Sequence, residues 1–204
     1  MKTALFFLLF IAFISTQHLT LATEKEVVVD TKGNPLVPGE KYFIMDASDH
    51  DRAVTTEVLW QQQCPVSVVF GTDAKNVIFI PKDKDATSIK TQEDLYITFN
   101  EAPLCAKSPN WTIEFFSNKV YPVLIGPPEG VPTMEGSFRI RKSESQTGAY
   151  NIAFNIFNGP NTDYFLVTQA YGDTRDFYRL ELCTDKGFDV HFIRYEKPTT
   201  LTST

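Results

Sequence analysis

The chain has few of the residues that chemistry is usually built from. No G-x-S-x-G, H-E-x-x-H or Cys/His pairing occurs, so acyl transfer and zinc hydrolysis lack their side chains. There are only three histidines, and His18 lies in an apolar leader, which leaves His50 and His191 for the folded part. Three widely spaced cysteines and two histidines do not make a tetrahedral metal site. Asp49-His50-Asp51 has no nucleophile-motif or metal-ligand context and reads as a solvated loop. No enzymatic activity, cofactor or metal is expected. Lysine and arginine (19 against 25 acidic residues) form no cluster, which leaves no footprint for nucleic acid or an anionic membrane. Past the leader no apolar run is long enough to span a bilayer, and no stretch of ten or more residues keeps a 3.6-residue apolar period.

The N-terminus has the layout of a secretory leader: Lys2, the apolar run Ala4–Ile14, then a more polar stretch closing on Thr20-Leu21-Ala22 with small residues at −3 and −1. The apolar run is shorter than the about 20 residues a membrane span needs. Residues 1–22 are therefore expected to be cleaved, and the protein to be secreted. The formal charge of −6 becomes −7 once Lys2 leaves. Residues 23–197 have the size of one domain, and the Thr/Ser-rich tail 198–204 is expected to be disordered.

Short β-branched and aromatic runs fill the mature sequence: Val27–Val29, Lys41–Met45, Val66–Phe70, Val77–Ile80, Leu95–Phe99, Thr112–Phe116, Tyr121–Ile125, Phe138–Arg141, Tyr150–Phe154, Tyr164–Thr168, Tyr178–Leu182 and Phe188–Ile193. Turn clusters such as Lys32-Gly33-Asn34-Pro35 and Gly126–Gly130 punctuate them. Alternation assigns faces: Phe138 and Ile140 inward with Arg139 and Arg141 outward, Val190 and Phe192 inward with His191 outward. Many of the 17 phenylalanines fall in such patterns and read as core. The pattern predicts an all-β sandwich or barrel. Twelve strands are also three times four, as a threefold trefoil requires.

An oxidising compartment implies a disulfide, and three cysteines leave one over. Composition does not choose among the three pairings of Cys64, Cys105 and Cys183.

The run Val28-Val29-Asp30-Thr31-Lys32-Gly33-Asn34-Pro35-Leu36, followed by Tyr42-Phe43-Ile44, resembles the signature of the plant Kunitz (soybean trypsin inhibitor) family of protease inhibitors. Cys64-Pro65-Val66, Leu104-Cys105 with Trp111, Gly136–Ile140 and Gly148–Phe154 are similar to further landmarks of that family. The resemblance implies a twelve-strand, pseudo-threefold β-trefoil and a Cys64–Cys105 disulfide. It implies a monomer that inhibits a protease, a serine endopeptidase first, and takes part in plant defence. Cys183, at the end of Arg179–Leu182, then remains as a free thiol, expected to be buried.

The family's inhibitory loop lies between the fourth and fifth strands, inside the first disulfide loop. Here that segment is Pro81-Lys82-Asp83-Lys84-Asp85-Ala86. Lys82 and Lys84 both suit a trypsin-like pocket, while the family's register puts Asp83 at the specificity position. Where the family carries an asparagine that supports the loop from below, this chain has Pro38, which offers no side-chain donor. These two departures allow a family member that acts on another protease class through a different loop, or serves as a storage or binding protein. Asp173, Thr174 and Arg175 form a secondary loop candidate, and Asn110-Trp111-Thr112 is an N-glycosylation sequon.

Overall fold

The computed structural model describes residues 25–59, 63–115, 120–126, 130–156, 164–171 and 177–197. Among them there are thirteen strands and no helix: β1 (Lys41–Asp46), β2 (Ala53–Glu57), β3 (Ser67–Gly71), β4 (Val77–Pro81), β5 (Leu95–Phe99), β6 (Trp111–Glu114), β7 (Val123–Ile125), β8 (Thr133–Met134), β9 (Gly136–Lys142), β10 (Tyr150–Ile156), β11 (Tyr164–Tyr171), β12 (Tyr178–Cys183) and β13 (Val190–Arg194).

Pairing closes six of them into a barrel. β1 pairs β4, β4 pairs β5, β5 pairs β9, β9 pairs β10, β10 pairs β13, and β13 returns to β1 from Tyr42↔Arg194 to Asp46↔Val190. Three hairpins cap the barrel: β2–β3, β6–β7 and β11–β12. They also touch one another, through Ser67↔Leu124, Tyr178↔Phe70 and the bridge Pro122↔Glu181. Each third of the chain supplies two barrel strands and one capping hairpin, so the fold is a β-trefoil. Closure leaves the barrel no unpaired edge.

Core residues follow the alternation read from the sequence. Phe138 and Ile140 are buried and so are Val190 and Phe192, while Arg139, Arg141 and His191 are half-buried. Inside the barrel, Phe79 meets Phe192 at 5.3 Å and Phe138 meets Phe154 at 5.1 Å between ring centroids, both edge-on. Trp111 rests against Phe138 at 5.8 Å. Edge-to-face contact is the favoured geometry for such rings.

Three elements differ from the sequence expectation. Val27–Val29 is not a strand of the barrel but makes single bridges, Val27↔Lys90 and Val29↔Pro35. The second strand of the trefoil is instead Ala53–Glu57, whose Thr55 and Thr56 are buried. Two adjacent threonines hid it, because polar residues on an apolar face break the alternation on which strand reading relies. Residues 133–134 add a short strand on β6.

Cys64 and Cys105 form the disulfide, with Cα atoms 5.9 Å apart. The loop it closes contains β3, β4, β5 and everything between the last two. Gly126 packs where a Cβ would lie 2.3 Å from the Ser108 nitrogen and 2.7 Å from that of Lys107, so only glycine lets the chain after Cys105 sit this close. Cys183 is free but half-buried rather than buried. It follows the inward Leu180 and Leu182, so alternation along β12 turns its side chain away from the core.

Candidate functional site

β4 and β5 diverge after the pair Pro81↔Leu95, and the chain between them is the loop that carries the expected contact residues. Its second half rests on the N-terminal segment. Ile89 donates its N–H to the Leu36 carbonyl (2.8 Å), Val28 donates to the Ile89 carbonyl (2.9 Å), and Thr91 donates to that of Glu26 (2.8 Å). Val28, Leu36 and Ile89 are buried, so this is a packed layer and not a surface contact.

The N-terminal segment is itself locked by a turn. The Asp30 carboxylate accepts the N–H groups of Lys32 (2.9 Å) and Asn34 (2.8 Å), and Gly33 takes φ +81°, a conformation that favours glycine. Tyr42, fully buried at the start of β1, accepts the Val37 N–H (2.8 Å) and one from the Arg194 guanidinium (3.1 Å) on its hydroxyl. Pro38 follows directly and is half-buried. The segment that should support the loop is thus firmly placed, but the residue at the supporting position has no side-chain hydrogen bond to give.

The first half of the loop is held from the opposite side. Lys82 donates its N–H to the Asp94 carbonyl (3.0 Å). The Asp94 carboxylate receives the Arg139 Nε–H at 2.6 Å, and Lys82 Nζ lies 3.7 Å from its other oxygen. Burial opposes ionisation of Asp94, but the hydrogen bond from Arg139 and the charges of Arg139 and Lys82 outweigh it and hold the carboxyl below its ordinary value. The Lys82 ammonium also lies 5.8 Å from the centroid of the Tyr96 ring, within cation–π range. Tyr96 and its cross-strand partner Ile80 are 42% and 44% exposed, which gives the loop an apolar shoulder.

The tip is folded rather than extended. Asp83 Oδ1 accepts the Asp85 N–H (3.0 Å), and the Asp83 carbonyl accepts the Ala86 N–H at a long 3.4 Å. Lys82, Asp83, Lys84 and Asp85 are exposed and Ala86 is half-buried.

The structure therefore brings Pro81–Ala86 together with supports that sequence reading did not find: Asp94, Tyr96 and Arg139. Asn110 is exposed, although the next residue, Trp111, is buried. Asp49–Asp51 lies in the turn between β1 and β2, where Asp49 pairs with Arg52 at 2.9 Å and His50 stacks on His191 at 6.0 Å. Asp173, Thr174 and Arg175 lie outside the described residues.

A family profile described as "Trypsin and protease inhibitor", the legume Kunitz family, matches residues 28–194. The chain is 33% identical to a Kunitz-type trypsin inhibitor-like protein of Pisum sativum over 93% of its own length and 90% of the relative's. It is 32% identical to a Kunitz-type elastase inhibitor of Bauhinia rufa over 64% of its length and 96% of that protein. Among solved structures, a Kunitz-type trypsin inhibitor from Cicer arietinum superposes with a TM-score of 0.75 at 27% identity, covering 84% of this chain and 99% of that one. Soybean trypsin inhibitor shares the fold at a TM-score of 0.72 and 19% identity, over 84% of this chain and 100% of its own. With its trefoil, its disulfide and its N-terminal signature turn in place, the chain belongs to the legume Kunitz family of protease inhibitors.

Proposed function

We propose that the protein is a secreted inhibitor of serine endopeptidases that meets its target with the loop Pro81–Ala86. The observation that carries this reading is the loop's construction. Both of its limbs are hydrogen-bonded into the trefoil, by Lys82 to Asp94 and by Ile89 to Leu36, while the charged tip between them stands in solvent. Fixed limbs reduce the ordering cost of binding, and affinity in such an inhibitor comes largely from that preorganisation. The leader at residues 1–22 supports export, and relatives named as trypsin and elastase inhibitors support the class of target.

The tip departs from an extended, substrate-like strand. A target that demands an extended tip must break the Asp83–Asp85 hydrogen bond, worth about 1 kcal/mol, beside the long Asp83–Ala86 contact, which weakens binding by about fivefold. That cost, with a proline at the position where the family carries its supporting asparagine, favours a second reading in which trypsin is not the target and another protease class is met through another loop. Assaying the protein against a panel of serine proteases, with Lys82→Ala and Lys84→Ala beside it, separates the two. Inhibition lost in at least one variant supports the loop, and inhibition unchanged in both rules it out.

A further inference from the structure

Three consecutive side chains at the tip compete for the role of specificity residue, and the structure treats them differently. Lys82 is exposed as a residue, as Lys84 is, but its side chain is turned back along the barrel: its ammonium sits 3.7 Å from Asp94 and 5.8 Å from the Tyr96 ring centroid, which leaves 31% of the side chain exposed. Asp83 is occupied inside the loop, its carboxylate by the Asp85 N–H and its carbonyl by the Ala86 N–H. Lys84 sits on the crest of the turn they form, is exposed, and makes no ion pair among the described residues.

We propose that Lys84 is the side chain that enters the target's specificity pocket, and that Asp94 is the positioning residue that withdraws Lys82 from competing for it. This rests on the reading that residues 81–86 face the protease. The partner it selects is an endopeptidase whose pocket ends in a carboxylate, the group that matches a lysine ammonium. Asp94 does two jobs at once. Its carbonyl fixes the Lys82 backbone, and its carboxylate, already anchored by Arg139, draws the Lys82 side chain away from the tip. The lock is local to β4, β5 and β9 and needs no contribution from the position that Pro38 occupies.

Trypsin used as a probe reads the order of the two lysines directly. The first nick, located by mass spectrometry, is expected after Lys84, with cleavage after Lys82 several-fold slower. Asp94→Asn, which keeps the carbonyl and the shape but removes the charge, should raise cleavage after Lys82, and Asp94→Glu should restore the original order. A first nick after Lys82, or no change in Asp94→Asn, overturns the proposal. If the loop resists cutting, acylation of lysine amines with N-hydroxysuccinimidyl acetate supplies the same comparison. Lys84 must then label faster than Lys82 in the parent and at a similar rate in Asp94→Asn, and equal labelling in the parent overturns the proposal. Where a trypsin-like enzyme is inhibited, Lys84→Ala should weaken inhibition by about 30-fold or more. Lys82→Ala, which removes a surface pair, should change it by less than about fivefold. The reverse order also overturns the proposal. Failure to inhibit any serine protease would refute the functional reading and the pocket assignment together, while the nick and the label still decide whether Asp94 withdraws Lys82.

Discussion

Removing the Cys64–Cys105 disulfide should separate what holds the fold from what holds the loop. The two cysteines are 41 residues apart, so the crosslink deprives the unfolded chain of a loop-closure entropy worth about 4 kcal/mol. For a domain of this size each kcal/mol moves Tm by about 2–4 °C, so the double variant Cys64→Ser/Cys105→Ser should melt roughly 8–16 °C lower. Using the variant rather than a reductant keeps the free Cys183 from exchanging with the bridge. The denaturant slope should rise, because the uncrosslinked chain exposes more surface when it unfolds. Inhibition at a temperature where the variant is fully folded should change little. The limbs of the loop are fixed by Asp94, Leu36 and Val28, none of which depends on the bridge. Thermal melts followed by circular dichroism, with inhibition assays well below Tm, make the comparison. An unchanged Tm would refute the entropic role given to the crosslink. Lost inhibition in a folded variant would refute the assignment of loop support to those hydrogen bonds.

Three further expectations follow from the same contacts. Phe138→Ala empties a fully buried site between Phe154 and Trp111 and should cost about 3–5 kcal/mol by urea denaturation. Asp94 has its carboxyl pKa lowered in the folded state, so its contribution is present above the unfolded value and is lost as pH falls through the lowered folded one. Asp94→Asn should therefore be less stable than the parent at pH 7, and the gap should close in acid; a gap that stays constant with pH contradicts this. Pro38→Asn places a side-chain donor where the chain has none, and a large gain in trypsin affinity would show that only support for the loop is missing. No gain would favour the reading in which another loop carries the activity.

Much of the trefoil was legible because its barrel strands obey a two-residue period: Phe138-Arg139-Ile140-Arg141 reads in-out-in-out and packs that way. β2 was not, because Thr55 and Thr56 are buried among its neighbours. Val27–Val29 looked like a strand for the converse reason: it is apolar, but its backbone pairs with the loop segment around Ile89 and Lys90 and with Pro35, with Val28 buried and Val27 exposed, and it does not join the barrel. At the site, the charged segment Lys82–Asp85 announced an exposed loop, and the signature turn around Asp30 announced its platform. The lock on Lys82 was hidden in sequence, since Asp94 and Arg139 are 45 residues apart and meet only because β5 pairs with β9. Equally hidden was the Asp83 turn, since a run of alternating charge reads the same whether its tip is extended or folded.

Amide hydrogen exchange on the complex with an inhibited serine protease tests the assignment of function to the loop most directly. Protection gained on residues 82–88, with residues 172–177 unchanged, is the expected result. Protection on 172–177 with none on 82–88 would contradict it and move the inhibitory surface to another part of the trefoil.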